Sequence, residues 1–189
     1  MNLQFFGVKG GSTTSTVAAC TALLLAADRD VTIIDHSVDM PALLGVPQPY
    51  EANYNPLSVV DRLQLASANY FWGDPDHDLG MQVHDMGLAR VMVPGAMRLL
   101  VIKPCYLALR QAVATDVQDF AEGFVLSNEP GRALTERDCE RALGIKHVAT
   151  VNYDPMVARS IDAGLVTARM PLSMRDGLEP VVSLAKELL

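Results

Sequence analysis

Apolar runs and alternating apolar stretches, separated by glycine, proline and acidic turns, divide this chain into strands and helices in alternation. Leu3 to Val8 is an apolar run of strand length, and Thr16 to Ala27 is an alanine- and leucine-rich segment of helix length. After the polar turn Asp28-Arg29-Asp30, the β-branched run Val31 to Asp35 predicts a second strand. Residues 46–56 carry Pro47, Pro49 and Pro56 and predict a loop, Ser58 to Ala68 a helix, and Asn69 to Asp78 a turn-rich stretch. Met81 to Asp85 and Leu99 to Ile102 predict strands, the second followed by a helix over Tyr106 to Thr115. Gly123 to Asn128 is the next strand, and Thr135 to Leu143 a helix that Thr135 caps, with Asp138 completing a loose capping box. His147 to Val151 is the last strand, Pro155 to Ala163 a helix closed by Gly164, and Leu178 to Leu189 a C-terminal helix.

Strands alternating with helices predict an α/β fold: a doubly wound, mostly parallel sheet with helices on both faces, formed by one domain over residues 1–189. Ligands of such folds sit outside the carboxyl ends of the strands. That edge is therefore where chemistry is sought.

Composition narrows the classes. A chain of 189 residues, half of them hydrophobic, is long enough to bury a core without disulfide or metal staples. No apolar run reaches membrane-spanning length and the N-terminus has no signal-peptide pattern, which predicts a cytoplasmic protein. Cys20, Cys105 and Cys139 are widely spaced and predict buried free thiols, and His36, His77, His84 and His147 show no metal-ligand spacing. A net charge of −7 disfavours non-specific DNA binding, and Arg90, Arg98, Lys103, Arg110, Arg169 and Arg175 are scattered. No Gly-x-Ser-x-Gly elbow or GxGxxG fingerprint is present, which ranks an unrelated α/β enzyme low.

The candidate chemistry starts in Phe5-Phe6-Gly7-Val8-Lys9-Gly10-Gly11-Ser12-Thr13-Thr14-Ser15-Thr16, between the first strand and the first helix. A strand, glycine turn and helix aim backbone N–H groups and a positive helix end at one point, where an anion is stabilised. Gly10 and Gly11 permit close backbone approach, and the Ser15 hydroxyl suits a magnesium ion. An ordinary turn is the competing interpretation, with Ser12 or Thr13 capping the helix. Asp35 and Asp85 end predicted strands on the same edge, where carboxylates hold magnesium beside phosphates in nucleotide sites.

The strict P-loop pattern is not matched, but the loop resembles the deviant Walker A motif of the ParA/MinD family, KGGxGK[ST][ST]. In that register Lys9 stands at the signature lysine, Gly10 and Gly11 match, Ser12 is the variable position, and Ser15 and Thr16 follow as hydroxyl residues. Thr13 replaces a glycine and Thr14 the P-loop lysine. VTIIDHSVD is similar to the family's second motif, with Asp35 as its first acid and Ser37 in place of the second. GMQVHDMG resembles the Walker B strand and places Asp85 at the magnesium water. GFVLSNEP resembles the strand whose asparagine, here Asn128, contacts adenine, and VNYDPMVARSIDAGLV the late motif, with Asn152 where proline is usual.

The resemblance implies ATP or ADP with magnesium as cofactors, Lys9 and Asp35 as catalytic candidates, and Ser15, Asp35 and Asp85 as the metal set. Nucleotide contacts would come from residues 10–16, Asn128 and Asn152. It further implies a nucleotide-dependent homodimer across which Lys9 reaches, acting on a protein cargo in positioning or partitioning. Loss of the P-loop lysine, as CpaE-type proteins tend to show, implies weak or absent hydrolysis, because charge stabilisation does most of the work in phosphoryl transfer. The alternative is a pseudo-ATPase, a structural or filament-forming adaptor that needs no nucleotide. The C-terminal helix, with Glu179 and Glu187 against Lys186, reads as packed on the sheet rather than membrane-bound.

Overall fold

The structure is a computed structural model that describes residues 2–11, 13–46, 56–73 and 79–187. Its strands are β1 (Asn2–Phe6), β2 (Val31–Asp35), β3 (Leu57–Val60), β4 (Leu63–Ser67), β5 (Met81–Asp85), β6 (Ala96–Ile102), β7 (Gly123–Asn128) and β8 (Lys146–Asn152). The helices are α1 (Thr14–Leu25), α2 (Met40–Leu44), α3 (Ala68–Gly73), α4 (Tyr106–Ala114), α5 (Glu136–Leu143), α6 (Pro155–Asp162) and α7 (Leu172–Glu187). One sheet holds all eight strands in the order β3-β4-β2-β5-β1-β6-β7-β8. Among the described residues only β3 and β4 pair antiparallel.

Strand alternation sends successive residues of β1 to opposite faces. Leu3 and Phe5 join the core under α1 and α7, with Ile33, Val83, Val101 and Val125 from neighbouring strands. Phe6 joins the other core with Leu100, Ile102 and Phe124, beneath Ala108 and Leu109 of α4 and Cys139 and Leu143 of α5. Both faces are therefore covered, as the alternation of elements predicts, and helix α1 is buried almost all round because it lies on β1, β2 and β5 with α2 and α7 packed against it. Its small residues Ala18, Ala19 and Ala22 are fully buried there.

Helix α7 packs Met174, Leu178, Val181, Val182 and Ala185 into the core, as expected of a helix laid on the sheet. It starts at Leu172 rather than Leu178 and runs through Pro180. Pro180 and Asp176, whose carbonyl loses its usual donor, are both exposed, so water can satisfy the gap. Gly177 lets the helix approach β8: a Cβ there would lie 2.7 Å from the Thr150 carbonyl oxygen.

Ser58 to Ala68 corrects the helix expected there, since it forms the β3–β4 hairpin. Val59, Leu63 and Ala66 fit a helical stripe, but Leu63 and Leu65 also alternate, and β2 offers an open edge that pairs with β4 from Val31↔Leu63 to Asp35↔Ser67. Arg62 turns the chain with φ 60. Helices α2 and α3 were not expected, the latter falling in the turn-rich stretch; residues 47–55 and 74–78 of the predicted loops lie outside the described residues. The capping box of Thr135 and Asp138 is present in both directions. Cys20 and Cys139 are buried thiols and Cys105 is only half-buried; all three are free.

Candidate functional site

The glycine loop leaves β1 at the centre of the sheet, next to β5 and β6. Gly7 N–H donates to the Gly87 carbonyl (2.8 Å), tying the loop's first residue to the turn after β5. Thr14 is buried against that junction, and a Cβ on Gly7 would meet its hydroxyl at 2.8 Å. Gly11 (φ 75) and Thr13 (φ 64) adopt left-handed backbone, which glycine accepts freely and a β-branched residue does not.

Thr13 precedes α1 but does not cap it: no cap hydrogen bond comes from its side chain, whose Oγ1 donates instead to Ser127 Oγ (2.9 Å). No acidic residue occupies the first turn of α1. Its amino end therefore receives neither a side-chain cap from Thr13 nor an acidic side chain from its own first turn, an arrangement that favours an incoming anion. Lys9, Gly10, Gly11 and Thr13 are exposed, Ser15 is half-buried and Thr16 buried; Ser12 lies outside the described residues. The loop lines a cleft of about 530 Å³ with His36, Ser37, Asp39 and Gly87 on its far wall.

Asp35 and Asp85 are register partners at the carboxyl ends of β2 and β5, and both are buried. Asp35 Oδ1 accepts the backbone N–H groups of Ser37 (2.9 Å) and Val38 (2.8 Å). Ser37 Oγ donates to Asp85 Oδ2 (2.6 Å) and lies 3.1 Å from Asp35 Oδ1, so one hydroxyl bridges both acids. Gly87 N–H and the Ser15 hydroxyl also favour the charged form of Asp85. Burial outweighs these bonds and pushes both carboxyls above the usual range, with the Asp85 charge adding to the rise of Asp35. Hard oxygen donors carrying such a charge fit magnesium, and Ser15, Asp35 and Asp85 are the residues that would hold it.

His84, fully buried on β5, lies beside this pair. Its Nε2 donates to Gln82 Oε1 (3.1 Å), which leaves Nδ1 to accept from His36 Nε2 (3.2 Å). Burial pushes His36 down to about 4 and His84 to about 3, so both rings are neutral at pH 7. Phe71 packs edge-on against His84.

On the other side of the loop, Asn128 and Asn152 end β7 and β8 in register, and Asn128 Nδ2 donates to Asn152 Oδ1 (3.0 Å). They border a pocket of about 190 Å³ with Thr13, Thr16, Ser127 and Met174. Thr13 and Thr16 line both this pocket and the larger cleft. Beside it Glu129 pairs with Lys103 and Arg132, whose charges hold its carboxyl below the usual range.

The tertiary structure thus sets the loop in a cleft with Ser37, whose hydroxyl bonds the buried Asp35 and Asp85, and the two amides in a neighbouring pocket that shares Thr13 and Thr16 with that cleft. Thr13 as an ordinary helix cap is corrected, because its hydroxyl is turned to β7. Sequence reasoning missed Ser127 and the His36–His84 pair, and it took Ser37 only as a lost acid. Ser127 had a signal, standing next to Asn128 at a strand end. Arg90, Arg98 and Lys103, named as scattered cations, are hydrogen-bonded to Thr115, Glu122 and Glu129. No helix among the described residues is long and apolar enough to cross a membrane.

No family model and no curated protein sequence matches this chain. Solved structures do. The MinD cell division protein of Aquifex aeolicus superposes with a TM-score of 0.74 at 14% identity, over 98% of this chain and 97% of that one. The cell division ATPase MinD of Pyrococcus furiosus gives 0.74 at 17%, over 98% and 99%. A putative plasmid partition protein of Borrelia burgdorferi, bound to AMPPNP, gives 0.70 at 12%, over 100% and 99%. The chain has the MinD/ParA fold, in agreement with the superfamily that its motifs resemble.

Proposed function

We propose that this chain binds ATP or ADP with magnesium across the cleft and the neighbouring pocket and acts as a ParA/MinD-like positioning or partitioning protein, with weak or absent hydrolysis. The observation that carries this is the amino end of α1, left without a Thr13 side-chain cap and facing two buried carboxylates that lack the ordinary stability of paired acids. The first-turn N–H groups, Ser15 and Thr16 would bind the phosphates, Asp35 and Asp85 would hold the metal through water, and Asn128 and Asn152 would hold the base. Magnesium bound there supplies charge neutralisation of the phosphates. Lys9, exposed at the rim, would reach the phosphates of a second copy of the chain and make assembly depend on nucleotide. Cargo recognition would follow from that dimer in the cytoplasm.

A specific observation favours the alternative, an adaptor that needs no nucleotide. Thr14 is folded against Gly7 where the family pattern has a lysine, and Lys9 is the only cation among the described residues lining the cleft, against Asp39 on its wall and Asp35 and Asp85 beneath. Calorimetric titration with MgATP and MgADP, with sedimentation in parallel, separates the two. Micromolar binding coupled to dimer formation supports the nucleotide switch. No heat and no change in mass would leave the adaptor.

A further inference from the structure

Thr13 stands in left-handed backbone (φ 64, ψ 22), where a β-branched side chain clashes with its own backbone and where the resembling motif has glycine. Such strain persists only when the surroundings over-determine it. Two of the Thr13 hydrogen bonds bear on it. The Thr13 carbonyl accepts from Val17 N–H (3.0 Å), which any residue at that position would provide. The Thr13 hydroxyl donates to Ser127 Oγ (2.9 Å), which depends on both side chains.

Ser127 is a firm anchor. It is buried, it lies on β7 between β6 and β8, and its register partner is Val151. The next residue, Asn128, carries one of the paired amides. Thr13 itself borders both the cleft and the small pocket. The bond therefore joins the loop to the strand end where the amides stand, across 114 positions of sequence.

We infer that Ser127 is a positioning residue: it compensates for threonine in place of glycine by holding Thr13 in the left-handed conformation, so that the loop is preformed before any ligand arrives. The consequence for nucleotide rests on the proposed function; the consequence for the loop does not. With the tie present, the N–H groups at the start of α1 already face the cleft. Without it, Thr13 relaxes to ordinary backbone and the loop loses its alignment.

Hydrogen–deuterium exchange of the nucleotide-free full chain, followed by titration with MgADP, tests this. In Ser127→Ala, exchange of the Val17 amide, whose N–H bond the Thr13 carbonyl accepts, rises about fivefold, the factor that corresponds to loss of one net hydrogen bond. Exchange in β1 and β7 stays at the native level. Thr13→Val, which keeps the branch and removes the hydroxyl, gives the same rise, and Ser127→Thr restores native protection. In the Thr13→Gly background, where left-handed backbone is free of strain, Ser127→Ala adds nothing. Native exchange in both Ser127→Ala and Thr13→Val, or an undiminished effect of Ser127→Ala in the Thr13→Gly background, overturns the inference. Titration reads the nucleotide separately: about fivefold weaker MgADP binding in Ser127→Ala is expected. A native chain with the expected exchange pattern that takes up no MgADP upholds the tie and removes the nucleotide function instead.

Discussion

The two ends of the site hold their polar groups in opposite ways. At the β2–β5 end, two like-charged carboxylates are buried side by side and kept there by a serine hydroxyl and backbone N–H groups. At the β7–β8 end, neutral amides pair with each other and Glu129 sits between Lys103 and Arg132 near solvent. The first arrangement opposes folding and the second costs little, because burial penalises a charge and exposure forgives one. Polar groups that destabilise the resting fold are ones a bound ligand of opposite charge could stabilise. That is why the proposed function places the metal at the carboxylate end rather than at the more heavily bonded amide end.

The largest effect expected from this contrast is on metal dependence. With Asp39 lining the cleft and Asp35 and Asp85 buried at the strand ends, against Lys9, removing magnesium with a chelator should weaken nucleotide binding about 100-fold or more, the order expected when a buried charge loses its partner. Thr14→Lys should recover much of that binding without metal. Equal affinity with and without magnesium, measured by calorimetry, would end the assignment of Asp35 and Asp85 as the metal-holding pair.

A middle-sized effect is expected on stability. Asp85→Asn should raise the stability of the nucleotide-free fold at pH 7 by the order of 1 kcal/mol while abolishing the magnesium dependence. The sign follows from the direction of the shift: the folded-state pKa of Asp85 lies above its unfolded value. Its contribution is therefore fully present below the unfolded pKa, near 4, and is lost as pH rises through the folded pKa. The gain from asparagine should shrink as pH falls toward about 4. Denaturant melts of both chains at pH 7 and pH 4 check it, and a destabilised asparagine variant at pH 7 would contradict the comparison.

The smallest effect belongs to the other end. Glu129→Gln should change stability by no more than about 0.5 kcal/mol, as exposed ion pairs do. Its shift has the opposite sign, so what stability it gives is present above the unfolded pKa and lost as pH falls through the folded one. A loss of several kcal/mol in the same melts would show that the amide end, too, is under load.

Much of this was legible in the residues. β2, β5 and β7 run over the stretches expected from the sequence, and α4, α5 and α6 differ by a residue or so at their ends. The glycine loop and the terminal aspartates and asparagines of strands could be read in order because each belongs to a local pattern. The hairpin at Leu57–Ser67 could not, since its apolar spacing satisfies both periods and the open edge of β2 selects between them. Helix α2 is five residues long and too short to leave a period.

The sequence by itself determined the alternation of strands and helices, the loop's glycines and hydroxyls, and the acids and amides that end the strands. These are properties of neighbouring residues, and hydrophobic periodicity and turn chemistry act over a few positions. Only the tertiary structure decided which ends meet. Parallel pairing sets Asp35 beside Asp85 and Asn128 beside Asn152, and the place of β1 between β5 and β6 brings Thr13 to Ser127. Those contacts join residues tens of positions apart, where burial of the whole sheet, not local propensity, sets the partner.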